Sequence, residues 1–554
     1  MYMVGRKAAL FSSDKKHCQS WTARPTGSGP LTERFRAGDR LARAAYCSAS
    51  EQCPAGLFSF GLTFSVKTIL NPWKSVTASS SDSLTLHEDR FFDPDGAVRR
   101  VARDIHEGTR HLPLVCPHGH VDPAILARND PFPEPTALII IPDHYIFRML
   151  YSTGVSMESL GIPTRDGSPV ERDPRKVWQL FGEHYYLFRG TPTGAWLEHT
   201  FFHVFGVKKR LTAGTALLVY DEIAEKLASP EFRPRALFES FNIETLATTD
   251  SASDPLASHA AIRASGWQGR VLPTFRPDSL FRIATTGWHR ELNALIEATG
   301  LPVPDFQAFT AALEARRTFF RSMGATATDH AMLTPYTERV DPEVAEALFR
   351  KALSGQATAV DQALFEAHML MEMARMSTDD GLVMQLHPGA LRDHNERIAG
   401  RFGPDMGADI PVSTEYTRNL RALLNAYGND PRLTLVLFTL DESTYARELA
   451  PIAGHYPAVR LGPPWWFNDS IEGMTRFRER TTETAGIYNT AGFNDDTRAF
   501  CSISARHDLS RRVDANFLAR QVAKHIIGID DAREMAHALA YGLARATYKL
   551  DEPV

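Results

Sequence analysis

The chain has 554 residues and only five cysteines, and three of these, Cys18, Cys47 and Cys53, fall within the first 84 positions. The other two, Cys116 and Cys501, lie far apart, so no disulfide framework is expected. Charge of one sign is also scarce. A net charge of −5 gives no footprint for nucleic acid or for an anionic membrane surface. No apolar run reaches the roughly 20 residues that span a bilayer, and the nearest early stretch, Gly56 to Leu70, carries Lys67. Met1 is followed by no charged, apolar and small-residue signal pattern, so a soluble, cytoplasmic protein is the expectation. Missing too are a G-x-G-x-x-G turn after a strand, a P-loop, a G-x-S-x-G elbow and a C-x-x-C pair. No nucleotide cofactor is expected.

What is present divides unevenly. Residues 1–84 hold 11 Lys and Arg against 5 Asp and Glu, a net of +6 that leaves −11 for the rest of the chain. The same stretch ends in a Ser/Thr-rich run from Ser75 to Ser83 and shows no sustained helical or strand period. It is predicted to be a poorly ordered extension, with residues 85–554 as the catalytic domain.

From about residue 110, short apolar runs end in polar residues and alternate with helical stretches. They start at Leu112, Leu246, Arg270, Ala325, Leu382, Leu433, Val459 and Ile487. Eight βα units fit a closed (β/α)8 barrel, whose site lies at the C-terminal ends of its strands. A doubly wound open sheet is the alternative. Residues ending the runs, His118, Asp250, Asp329, His330 and His387, with Asp496 shortly after the last, would point into one mouth. The interval from Pro142 to about Ser240 reads as a helical insertion over that mouth. A long helix is predicted from Asp341 to Met376, with Met369, Met371 and Met373 as packing residues.

His118-Gly-His120 is the sharpest local signal. In extended backbone, residues i and i+2 face the same side, so both imidazoles can reach one divalent ion. With His387 and Asp496 at other strand ends, the set describes a catalytic metal site. Arg498, two residues past Asp496, suits an anionic substrate. Asp143, His144, Tyr145 and Arg148 crowd one short segment, while Trp465 and Trp466 bring two indoles to the rim. Arg276 and Asp278 are further mouth candidates. The segment Ser504 to Asp508 reads as structural or peripheral. These residues leave two reaction types open: hydrolysis by a metal-activated water, and proton transfer on a metal-oriented sugar.

The ordered set of motifs from about Leu86 onward resembles the uronate isomerase (glucuronate isomerase) family of the amidohydrolase superfamily. It is carried by Pro117-His-Gly-His120, Asp143-His-Tyr145 with Arg148, Ala247-Thr-Thr-Asp250 through Asp254 and His259, and Leu272-Pro-Thr-Phe-Arg-Pro-Asp278. Thr328-Asp-His330, Gln385-Leu-His387, Trp465-Trp-Phe-Asn-Asp469 and Asp496-Thr-Arg498 complete it. Asp250-Ser-Ala252 departs from the Asp-Asp-Pro of many relatives. The resemblance implies a (β/α)8 barrel of the metal-dependent hydrolase type with a helical insertion after strand 1. It also implies aldose–ketose isomerisation of D-glucuronate and D-galacturonate. His118, His120 and Asp496 would hold one divalent metal, Zn²⁺. Asp496, Arg498, Tyr145 and His387 are then the catalytic candidates. Arg148, His144, Arg276, Asp278, Asp329, His330, Trp465 and Trp466 are the substrate-binding ones. The expected partners are a small hexuronate and further copies of the chain, with no nucleic acid and no membrane.

Overall fold

The computed structural model describes residues 83–551. Apart from Ser83 and Leu84, the extension expected at 1–84 lies outside the described residues.

The apolar runs form short parallel strands. They are β1 (Leu114–Cys116), β2 (Ile243–Ala247), β3 (Arg270–Leu272), β4 (Ala327–Met332), β5 (Val383–Pro388), β6 (Leu435–Leu437) and β7 (Val459–Leu461). Pro273 has no N–H to give a ladder, and β3 breaks there. It resumes as Phe275–Arg276 beside Asp250–Ser251, the continuation of β2. Each strand pairs in parallel with the next in sequence, from β1·β2 through β6·β7. The eighth run differs from its prediction as a strand. Ile487–Asn489 is a 3-10 turn, and only Thr490 bridges Leu461. The ring then closes where the His120 N–H donates to the Thr497 carbonyl at 3.0 Å. This is the (β/α)8 barrel, with its eighth strand reduced to a bridge.

Val115, Leu272, Ala327, Val383 and Val436 fill the barrel interior. Tyr548, from the C-terminal segment, donates its hydroxyl to Gln385 Oε1 at 2.8 Å. The opposite strand faces, including Met384 and Leu437, pack on the surrounding helices. Met369, Met371 and Met373 are buried in that layer. They lie on Ala359–Asp380, the second of two helices in place of the single one predicted. Pro342–Leu353 ends before Gly355, whose φ of +69° breaks the run, and a Thr358–Asp361 capping box starts the next helix.

Two helices bear on the site, α2 (His144–Tyr151) and α3 (Ile503–Ala523), and α1 (Gly96–Glu107) packs along α3. The segment between β1 and β2 is built of short helices, five of which open on a proline: Pro123, Pro135, Pro174, Pro192 and Pro234. A fixed φ and an absent N–H suit that first position. Trp178, Phe181 and Phe201 form its core, and the Trp178 indole donates to the Ala216 carbonyl. Cys116 and Cys501 are free and buried. Among the described residues, no helix is long and apolar enough to cross a membrane.

The helix Ile471–Thr482 is fastened to α3 by a buried fork. Arg478 donates from Nε and Nη2 to the two Asp514 oxygens at 2.6 and 3.1 Å, with side chains 4% and 7% exposed. Removing one partner strands a buried charge. We therefore expect Asp514→Ala to cost about 3–5 kcal/mol in urea unfolding, with Arg478→Met/Asp514→Leu recovering most of it.

Candidate active site

Two chain segments meet at the closing seam of the barrel. Beyond β1, the alternation of extended backbone turns His118 and His120 toward Asp496, which follows the eighth unit. The two Nε2 atoms lie 3.5 and 3.2 Å from the same Oδ1. Two imidazole nitrogens and a carboxylate oxygen on a shared point form a donor set suited to a divalent transition metal. Asp496 adopts a φ of +38°, unusual for a residue with a Cβ, so backbone strain is spent on aiming this carboxylate. Burial opposes its ionisation, but the facing His118, His120 and His387 hold it well below the carboxylate range. Burial likewise lowers His120. A carboxylate beside a neutral imidazole is the state in which such groups ligate a cation.

His387, on β5, stacks its ring on His118 and Phe438 at 4.6 and 3.9 Å. Its Nδ1 is engaged with Asp329 Oδ1 at 2.6 Å, and its Nε2 has no hydrogen-bond partner among the described residues. A carboxylate fixing one imidazole nitrogen and freeing the other is the arrangement found behind metal ligands. Burial again works against Asp329, yet His387 and the Arg276 guanidinium 3.4 Å away keep it well below its usual value.

Above the seam opens a cavity of about 420 Å³. His120, His144, Tyr145, Arg276, Asp278, Trp465, Trp466, Asp496 and Arg498 all line it. Asp143 caps α2 by accepting the Tyr145 N–H at 2.8 Å, which sets His144 and Tyr145 at the mouth. Burial pushes His144 down to about 3 and Tyr145 well above the usual phenol value. The Tyr145 hydroxyl donates to Asp469 Oδ2 at 3.3 Å. Arg276 donates to Asp278 at 2.8 Å, and Arg498 lies 3.5 Å from Asp405.

The remaining site candidates are placed differently. His118, Asp329 and His387 lie beneath the cavity and do not line it. Arg148 is stacked against Tyr145 and Phe467 at 5.5 and 4.9 Å, outside the lining. Gly407 passes over its stem so closely that a Cβ there would stand 2.6 Å from Arg148 Cβ. His330 leaves the site altogether. Neighbouring residues of a strand face opposite sides, so Asp329 points inward while His330 points out against Phe281 and borders a separate cavity.

Arg506 is the residue that sequence reasoning missed. It belongs to the segment expected to be peripheral, yet it lines the cavity, donates to Asp469 Oδ2 at 2.9 Å and lies 3.7 Å over the Trp196 ring. Its place in the first turn of α3, just after Arg498, was the available signal. Arg392 and Asp405 also line the cavity, with no sequence pattern to mark them.

Known proteins resemble the chain over most of its length. A family model described as glucuronate isomerase matches residues 97–548. The chain belongs to the glucuronate isomerase family. A uronate isomerase of Phenylobacterium zucineum is 54% identical over 470 residues, 85% of this chain and 98% of that protein. The crystal structure of a glucuronate isomerase from Caulobacter crescentus superposes with a TM-score of 0.84 at 50% identity, covering 85% of this chain and 98% of that one. A uronate isomerase structure from Thermotoga maritima gives 0.78 at 30% identity, with 84% and 99% covered. Family membership and barrel thus rest on nearly full-length matches.

Strand alternation gives a sharp contrast between neighbours. Asp329→Asn is expected to reduce turnover or metal content by about 10–100-fold, the usual cost of losing a carboxylate behind a ligating histidine. His330→Gln is expected to stay within about threefold of the parent, because it faces away from the cavity. Steady-state rates and elemental analysis of both variants check this.

Proposed function

We propose that this chain interconverts hexuronate aldoses and ketoses, D-glucuronate with D-fructuronate and D-galacturonate with D-tagaturonate. One observation carries the reading: a converging His118, His120 and Asp496 donor set beneath a cavity that also presents Arg498, Arg276 and the Tyr145 hydroxyl. His118, His120 and Asp496 would hold a divalent metal, and this nitrogen and oxygen donor set suits Zn²⁺. When bound, it supplies a Lewis acid that orients and polarises substrate oxygens.

The reaction moves one proton between carbons and one between oxygens. Removing it from C2 of the open-chain aldose sends the electron pair into a C1–C2 double bond and charge onto the carbonyl oxygen. Reprotonation at C1, with transfer of the C2 hydroxyl proton to the C1 oxygen, gives the ketose. Asp496, a carboxylate in the cavity lining, would accept the proton from C2. Tyr145 keeps its proton, because burial and the nearby Asp469 raise it, so it acts as a donor and relay. Arg498 faces the developing enediolate, Arg276 anchors the substrate, and His387 is held in place from below by Asp329. Trp465 and Trp466 offer apolar faces to the sugar carbons.

Metal-loaded protein incubated with either uronate in deuterated water tests the reading. Ketose formation is expected, and solvent deuterium at C1 reports how well the proton is shielded. Metal-dependent cleavage of a lactone with no ketose formed would instead identify a hydrolase. Arg498→Ala should lose about 10²-fold in turnover with its metal content intact, since a donor aimed at developing charge is worth a few kcal/mol.

A further inference from the structure

A second cavity, of about 470 Å³, lies beside α3, shares no lining residue with the first and is formed by described residues. Its walls come from α3 and from the segments that lead into β1 and β2, including Arg110 and Ser240. Four arginines line it: Arg90, Arg511 and Arg512 are largely buried with Asp508 as their buried carboxylate, while Arg110 at the rim pairs with Glu107 at 3.0 Å, and Glu231 completes the lining carboxylates.

Asp508 is already shared. It lies 2.5 Å from Arg90 and 2.9 Å from Arg512, with His106 and His199 each at 3.5 Å. Arg511 has no carboxylate within ion-pair distance among the described residues, although only 5% of it is exposed. Its Nη atoms donate to the carbonyls of Arg110, Leu112 and Pro113, and its Nε has no partner. Burial draws this guanidinium down to about 10. Buried cations that outnumber their counter-charges are costly unless something anionic joins them.

We propose that this cavity binds a small multivalent oxyanion of the phosphate or phosphate-ester class, at a site separate from the isomerase cavity. Planar guanidinium forks match a phosphoryl group in a bidentate manner. The volume leaves room for the organic part of an ester.

The test is titration calorimetry of the full chain at constant ionic strength, with inorganic phosphate in one arm and a hexose monophosphate in the other. Saturable binding of one equivalent is expected. Tighter binding of the ester would identify an ester ligand, and equal binding would identify free phosphate. Arg511→Gln should weaken the affinity by about tenfold. Because Arg511 also caps three carbonyls, Arg110→Gln at the rim serves as the second variant and should weaken binding without unfolding. Arg498→Ala and saturating D-glucuronate, both acting at the isomerase cavity, should leave the affinity unchanged. The proposal fails if neither ligand saturates at millimolar concentration. It also fails if Arg498→Ala abolishes binding while the Arg110 and Arg511 variants retain it.

Discussion

Everything at the mouth depends on how the barrel closes. The eighth unit makes one bridge to β7, so the ring is completed by loop backbone, the His120 N–H on the Thr497 carbonyl. That bond ties the residue after Asp496 to one of the two histidines that Asp496 faces. The donor set and the seam are therefore one structure. An ordinary eighth strand would hold its backbone in the extended region, whereas the loop lets Asp496 take the positive φ that turns its carboxylate onto both imidazoles.

Charge at the mouth is arranged with the same economy. Five arginines line the cavity, Arg276, Arg282, Arg392, Arg498 and Arg506, and so do five aspartates, Asp143, Asp278, Asp393, Asp405 and Asp496. Such a lining has no net attraction for a carboxylate until a divalent cation joins Asp496 and the histidines. The arginines are also unequally held. Arg506 is fixed on Asp469 and beneath Trp196, and Arg276 is divided between Asp278 and Asp329. Among the described residues Arg498 has only Asp405 as an ion-pair partner, at 3.5 Å, and that side chain is about half exposed. It therefore gives up less than Arg276 or Arg506 when a substrate oxygen approaches.

Much of this was legible in the chain because the signals are local. Seven of the eight runs, the His118-Gly-His120 pair and the crowded segment from Asp143 to Arg148 each depend on spacing within a few residues. What stayed hidden depends on direction or on distant packing. Asp329 and His330 are equally polar neighbours, and only the pleat decides which one enters the barrel. Arg506 belongs to a helix that looked peripheral, and Arg392 and Asp405 arrive on loops beyond β5. The single long helix predicted after β4 failed at Gly355, where a left-handed residue outweighs the helical composition on either side.

The long helix α3 shows why the site and the second cavity share one frame. From Ile503 to Ala519 α3 is almost wholly buried, yet it is rich in charged residues and lacks the single apolar stripe of a surface helix. Its polar side chains are instead met one by one. Arg506 meets Asp469, His507 meets Asp495, Asp508 meets Arg90, Arg511 meets the carbonyls before β1, and Asp514 meets Arg478. Apolar contacts tolerate small slips, whereas a buried charge separated from its partner costs several kcal/mol. A rotation or slip of α3 by one residue would break these pairs together. The register of α3 is thus set by electrostatics along its buried length, and the arginine at the mouth is held in place partly by ion pairs up to about two turns away.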